Sequence, residues 1–182
     1  MKSLEEQMSF YAAYHQDARN KISHFIGVPA IIFGLFIALG WLRVDFGGVA
    51  LSAAMLLTAV VLVWYFLLDI PLALAMVVVN GVLLYLADQV AVQPMKVGAV
   101  WFLVFFGGGW IVQLIGHVFE GRKPALVDNF FQVFVAPVFL AAEVFFALGY
   151  KPKLHAEVQK RALEMRAAAG QKPGSEVHSP AR

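Results

Sequence analysis

Residues 97–118 read VGAVWFLVFFGGGWIVQLIGHV, twenty-two residues with no Asp, Glu, Lys or Arg among them. A helix needs about 20 predominantly apolar residues to cross the hydrocarbon of a bilayer, within a range of roughly 17–25. Four further apolar blocks stand around this one, at 25–42, 49–68, 70–86 and 130–149. The charges between them are sparse: Arg43, Asp45, Asp69, Asp88, Lys96, Glu120, Arg122, Lys123, Asp128 and, inside the last block, Glu143. In lipid the backbone must satisfy its own hydrogen bonds, so each block should be helical. The alternation of period two that a β-barrel requires is absent. The expected fold is an all-α integral membrane protein, a bundle of four to five transmembrane helices with an N-terminal amphipathic helix.

Composition agrees. Of 182 residues 60% are hydrophobic and 14% charged, and the mean hydropathy is +0.73. A soluble chain averages roughly 45–50% apolar and about 25% charged. There is no cysteine, which excludes disulfides, thiolate metal sites and cysteine nucleophiles. A net charge of +2 gives no reason to expect nucleic acid as a partner. The first 24 residues are polar and mixed in charge, unlike a cleaved signal, so the first span should be retained.

Three regions follow. Residues 1–24 place Leu4, Met8, Tyr11, Tyr14 and Ala18 on one face, as an interfacial helix would. Residues 25–150 form the bundle. Residues 151–182 form a polar, basic tail, helical over 152–169 and disordered beyond Gly170. The basic tail, Lys2, Arg19, Lys21, Arg122 and Lys123 all favour the cytoplasmic side, which requires an even number of crossings. Pro137 and Glu143 make the fifth block the irregular one. If the first four blocks cross, His24, Asp69 and His117 arrive at the same membrane face, joined by His15 and Glu120.

Those residues could carry chemistry. The stretch YHQDARNKISHFIGVP (residues 14–29) puts Asn20 and His24 four apart, on one helix face. His15 and His24 are nine apart, about half a turn out of phase at 3.6 residues per turn. They can share an ion only if the chain bends between them; otherwise they would serve two separate ions, or are two histidines at headgroup level. The stretch WIVQLIGHVFEGRKPAL (residues 110–126) sets Gln113, His117 and Glu120 in one stripe and ends its helix at Gly121, before Pro124. A histidine and a carboxylate three apart can hold one metal from one face, or simply end a helix among headgroups. Asp69 precedes Ile70-Pro71 and reads as a turn cap or as a ligand. Glu143 lies inside an apolar block, where an ionisable group marks function by default; its plainer reading is a pair with Asn80 or Gln113. Nitrogen and oxygen donors without sulfur suit iron, manganese or zinc. Arg122 and Lys21, with the neutral Asn20 and Gln113, are the candidate contacts for a polar headgroup, and Phe25, Phe119, Phe130 and Phe131 for an acyl chain.

These two stretches, with APVFLAAEVFFALGYK (residues 136–151), resemble the 2-hydroxy fatty acid dioxygenase family over roughly residues 1–155. The resemblance implies an Fe(II) enzyme of an internal membrane, the bacterial inner membrane or the endoplasmic reticulum. It would convert a 2-hydroxy fatty acid and O2 to an acid one carbon shorter. One or two Fe2+ ions are expected and neither haem nor 2-oxoglutarate; lipid surrounds the protein, and a homo-oligomer is compatible. The motif histidines carried over are His15, His24 and His117, with Glu120 by its place in the motif. Asp69 and Glu143 are added on physical grounds. His155 and His178 fall outside the motif and should be solvated. Competing readings are a small transporter or channel lined by Asp88 and Glu143, a b-type haem protein with His24 and His117 as axial ligands, and a scaffold with no site.

Overall fold

A computed structural model describes residues 3–170, and the described chain is almost wholly helical. Helix α1 (Leu4–Ala12) opens with a reciprocal cap. The Ser3 hydroxyl accepts from the Glu6 amide at 3.2 Å, and the Glu6 carboxylate accepts from the Ser3 amide at 2.8 Å. After a connector, Asp17 caps α2 (Ala18–Gly40) by accepting from the Arg19 amide at 2.8 Å. Helices α3 (Ala53–Leu68) and α4 (Ile70–Ala91) follow, separated by Asp69 alone. Then α5 (Met95–Phe102), a π-helical turn (Leu103–Gly107) and α6 (Gly108–Glu120) run on as one helix. The short α7 (Ala125–Asp128), α8 (Gln132–Ala147) and α9 (Pro152–Gly170) complete it.

Three of these helices are long and apolar enough to cross a membrane: Ala18–Gly40, Ile70–Ala91 and Met95–Glu120. The other two apolar blocks give shorter helices. α3 and α8 have 16 residues each, about 24 Å at 1.5 Å per residue, against hydrocarbon of about 30 Å. The bundle's outside is greasy. Val60, Val78 and Leu103 are each more than 60% exposed, a surface that suits lipid.

Two sequence expectations need correction. The block at 49–68 is not helical throughout. Its first four residues form β2 (Val49–Ser52), antiparallel to β1 (Arg43–Phe46), with Arg43 opposite Ser52. Gly47 and Gly48 both have positive φ, 63° and 91°, as a tight two-residue turn requires. Residues 1–24 are not a single interfacial helix. The chain turns between Ala12 and Ala18, and α2 begins well before the first apolar block. The helix expected over 152–169 is present as α9, and it packs on α1. Val158 and Ala162 bury in the same cluster as Met8 and Ala12, and Arg161 pairs with Glu5 at 2.7 Å. The disorder expected beyond Gly170, and His178, lie outside the described residues.

Helix α2 is central, touching α3, α4, α5, α6 and α8. Its seam with α6 is built on glycine. A Cβ at Gly27 would stand 2.9 Å from the Gly109 carbonyl oxygen, and one at Gly109 would stand 3.0 Å from the Gly27 carbonyl oxygen. A Cβ at Gly116 would fall 1.9 Å from the Ser23 hydroxyl. Small residues let helix backbones approach where lipid supplies no hydrophobic drive. Ser23 precedes His24 and Gly116 precedes His117, so this seam sets how close those imidazoles come. Gly27→Val collides with backbone, which rotamers cannot relieve. It should cost about 1–3 kcal/mol, the usual range for overpacking. Thermal unfolding in detergent micelles reads this as a clear fall in Tm.

Candidate metal centre

Three histidines from three segments meet at one end of the α2–α6 seam. His15 comes from the connector, His24 from the first turns of α2, and His117 from the last turn of α6. Their exposures are 2%, 2% and 6%. Ring centroids lie 4.5 Å apart for His15 and His24, 5.1 Å for His15 and His117, and 5.0 Å for His24 and His117. One nitrogen from each ring falls within 4.8 Å of the others. The bend that the spacing of His15 and His24 demands is the connector at residues 13–17.

The ring nitrogens are not equivalent. His15 Nδ1 lies 2.7 Å from the Tyr11 carbonyl oxygen, and His24 Nδ1 lies 2.9 Å from the Asn20 carbonyl oxygen. A carbonyl only accepts, so both Nδ1 atoms carry the proton. In neutral rings both Nε2 atoms then present lone pairs, and these face each other at 3.2 Å. Nδ1 of His117 is buried with no hydrogen-bond partner. A proton between the rings would relieve the repulsion, but burial pushes the His15 pKa well below its usual range, and neighbouring His24 pushes it further the same way. A cation held by the lone pairs relieves it instead. Helix carbonyls holding Nδ1–H, with Nε2 free to ligate, is the usual support around a metal-binding histidine. The residues present therefore fit a divalent transition metal. Tyr11 stacks on His15 at 3.9 Å and 8°, fixing that ring further.

Glu120, one turn beyond His117, is outside the three-histidine group, and its carboxylate is engaged by the connector and by α9. One oxygen accepts from the backbone amides of Gln16 at 2.9 Å and Asp17 at 2.7 Å, and from the Asn20 amide at 3.2 Å. The other accepts from Arg166 of α9. Arg166 also donates to the Ala13 carbonyl at 3.3 Å. The carboxylate thus clamps the connector that carries His15. Asn20 is fully buried, donating to Glu120 and, at 3.3 Å, to the Tyr14 carbonyl.

The remaining candidates lie elsewhere. Asp69 and Glu143 do not join the imidazoles. Asp69 caps α4 through the Leu72 amide at 3.1 Å, accepts from the Tyr150 hydroxyl at 3.3 Å and pairs with Lys151. Glu143 pairs with Lys21 at 2.8 Å, instead of with Asn80 or Gln113. That pair also commits Lys21, and neither Lys21 nor half-buried Arg122 lines the cavity described below. His155, expected to be solvated, is half-buried and stacks on Phe146 at 4.6 Å.

A cavity of about 300 Å³ opens beside the histidines, with His15, His117, Tyr11 and Gln113 in its wall. It runs on between α2, α3, α6 and α8 among apolar side chains. Among the described residues no Lys, Arg, Asp or Glu lines it. Gln132, 1% exposed, belongs to this wall too, and its side-chain oxygen is buried without a partner. Sequence reasoning missed it, although a lone amide at the edge of an apolar block is a readable signal.

These features define a helical, membrane-type protein with a buried three-histidine centre at the head of an apolar cavity. The chain belongs to the Mpo1-like family, described as 2-hydroxy-palmitic acid dioxygenase Mpo1-like, which it matches over residues 1–148. It is similar to the 2-hydroxy-palmitic acid dioxygenase MPO1 of Saccharomyces cerevisiae, 36% identical over 172 residues that cover 89% of this chain and 94% of that protein. No solved structure matches it.

Two tests separate ligand from clamp and neutral from charged imidazole. Glu120→Gln keeps an acceptor for the connector amides but removes the anion beside Arg166. It should lower Tm and change metal affinity less than tenfold, read by competition with a chromogenic chelator; a loss of a hundredfold or more would make the carboxylate a ligand. The second concerns pH. A histidine whose folded pKa lies below its unfolded value of about 6.5 binds fewer protons folded than unfolded. Stability is then full above pH 6.5 and falls as pH drops below it. Kept metal-free with a chelator, the protein should lose Tm steadily from pH 7 to pH 5, and His15→Gln should flatten that slope.

Proposed function

We propose that this protein is an Fe(II)-dependent dioxygenase that cleaves 2-hydroxy fatty acids with O2 to the fatty acid one carbon shorter. The observation that carries this reading is the set of facing imidazole lone pairs at the head of an apolar cavity, in a chain of this family. His15, His24 and His117 would hold the metal. Three protein ligands leave open positions, the arrangement a catalytic centre needs. Bound there, the iron would supply Lewis acidity towards the substrate's oxygens and redox chemistry towards O2. The donor set alone also suits zinc, and the oxygen-consuming reaction favours iron.

The reaction balances without a second reductant. Oxidising RCH(OH)COOH to RCOOH, CO2 and H2O withdraws four electrons, and O2 accepts four. This supports a reaction that needs no 2-oxoglutarate. The cavity offers no cationic side chain to the substrate carboxylate, so the metal's charge is what would meet it. Tyr11 and Asn20 hold the imidazoles in one tautomer through their carbonyls. The unpartnered Gln132 oxygen suits the substrate's 2-hydroxyl as an acceptor. The apolar wall keeps water from the reacting carbon. In this reading α2, α3, α4 and the α5–α6 helix cross in alternate directions, which brings His24 and His117 to one face, and α8 fills the bundle.

The haem alternative has little support, because rings 5.0 Å apart at 86° leave no flat gap for a porphyrin. Protein purified anaerobically should carry iron and consume O2 when given 2-hydroxypalmitate, releasing pentadecanoate. His15→Ala, His24→Ala and His117→Ala should each abolish turnover and remove the iron. Iron retained by the triple variant would sink the assignment of the site.

A further inference from the structure

The cavity continues well past the histidines. On α2 its wall runs through Val28, Ile31 and Leu35 to Phe36. Phe36 lies twelve residues beyond His24, about 18 Å along the helix. Helix α3 runs antiparallel to it through this region, adding Tyr65 near the histidine end, then Val61, and Leu57 and Thr58 at the far end. The depth resembles that of one leaflet of hydrocarbon, about 15 Å. A cavity of this kind inside a lipid-facing protein takes one extended chain, not a compact ring system.

Its chemistry narrows the occupant further. Along the rest of the wall, hydroxyl and amide hydrogens are spent on backbone carbonyls. Thr58 donates to Ala54 at 2.8 Å, Asn80 to Met76 at 3.0 Å, and Tyr65 to Phe134 at 2.6 Å. The first two are local bonds within one helix turn and the third is long-range; each satisfies a hydroxyl or amide hydrogen without offering it to a ligand. Polar atoms that remain available, on Gln113, His117 and Gln132, stand with His15 in the wall of the same cavity. A ligand with one polar head and a plain alkyl tail matches this distribution. At the far end Phe36 packs with Ile37, Ala54 and Ala87 in a separate buried cluster, which gives the cavity a firm floor.

We infer that this cavity is the alkyl channel for the substrate's tail, and that Val61, Leu57 and Phe36 form a ruler that sets the acyl length accepted. This rests on the dioxygenase reading for the chemistry at the head, but the channel is a separate claim about binding. Val61 and Leu57 are one helical turn apart on the same wall, so filling them blocks the channel at two depths. Phe36 closes the end, so trimming it deepens the channel.

Two measurements test it. The first is kcat/KM for 2-hydroxy acids of 8 to 20 carbons, measured on the iron-loaded enzyme. Burying one methylene favours binding enough to raise kcat/KM about fourfold per carbon, until the tail reaches the floor. Leu57→Phe should move the optimum to shorter acids, Val61→Phe further still, and Phe36→Ala to longer ones, with iron content unchanged in all three. The second uses Trp110, which lines the channel on α6. Palmitic acid dibrominated at mid-chain should quench Trp110 saturably in metal-free protein, read as the difference from Trp110→Phe, and Val61→Phe should weaken this at least fivefold. Well-folded variants with the wild-type length profile and undiminished quenching would overturn the channel. If saturable quenching responds to Val61→Phe but no 2-hydroxy acid is oxidised, the channel stands and the proposed reaction falls.

Discussion

The closeness of α2 and α6 is the constraint on which the site rests. In lipid two apolar helices have little reason to prefer each other over the surrounding chains. Here glycine at 27, 109 and 116 removes the side chains that would hold the backbones apart. The helices meet along several turns, and the seam ends where Ser23 and Gly116 touch. The next residue on each helix is a histidine. Two of the three imidazoles are therefore positioned by backbone packing, which is stiffer than any side-chain contact. Only the third must be brought in by a loop.

That loop explains why an acidic residue is buried at the mouth of the bundle. The connector between α1 and α2 exposes two amides, at Gln16 and Asp17, that no helix satisfies. Glu120 accepts both and so ties the connector to the end of α6. Removing a carboxylate from water costs several kcal/mol unless it is paired, and Arg166 supplies the pair from α9. The polar C-terminal helix is thus part of the site's support. It reaches the centre through Arg166, which pairs with Glu120 and donates to the Ala13 carbonyl, through a hydrogen bond from Gln16 to Gln159, and through its packing on α1.

Much of this was legible in the sequence, and the failures have identifiable causes. Uncharged blocks announce helices because a membrane leaves the backbone no other solution. The phase difference between His15 and His24 announces a bend. Distance along the chain hid the pairings. Nothing near Glu143 points to Lys21, 122 positions away, and nothing in the basic tail marks Arg166 for Glu120. Asp69 was ambiguous for a plainer reason: one aspartate between two helices can cap or ligate, and only the position of Lys151 separates the two. The hairpin at 43–52 was missed although Asp45 and the glycine pair carry a turn signature, because β2 is apolar enough to pass for the start of α3. Gln132 was overlooked because a neutral amide draws less attention in an apolar block than a charge does.

In the proposed reading, a metal's charge at the centre and the lack of charged side chains among the described residues of the cavity wall belong to one design. A lysine in the wall would bind a carboxylate, but it would also pair with the carboxylate of any ordinary fatty acid. Three neutral imidazoles bind no anion until a cation sits among them. With a cation held there, a 2-hydroxy acid would chelate through its hydroxyl and one carboxylate oxygen in a five-membered ring, which an unsubstituted acid cannot form. Selection between a 2-hydroxy acid and the far more abundant unsubstituted acid would rest on that hydroxyl oxygen and on the amide of Gln132 that can receive its proton. The tail contributes affinity to both acids equally, so it cannot discriminate between them. Discrimination by head and discrimination by length are thereby placed at opposite ends of the same cavity, where each can change without disturbing the other.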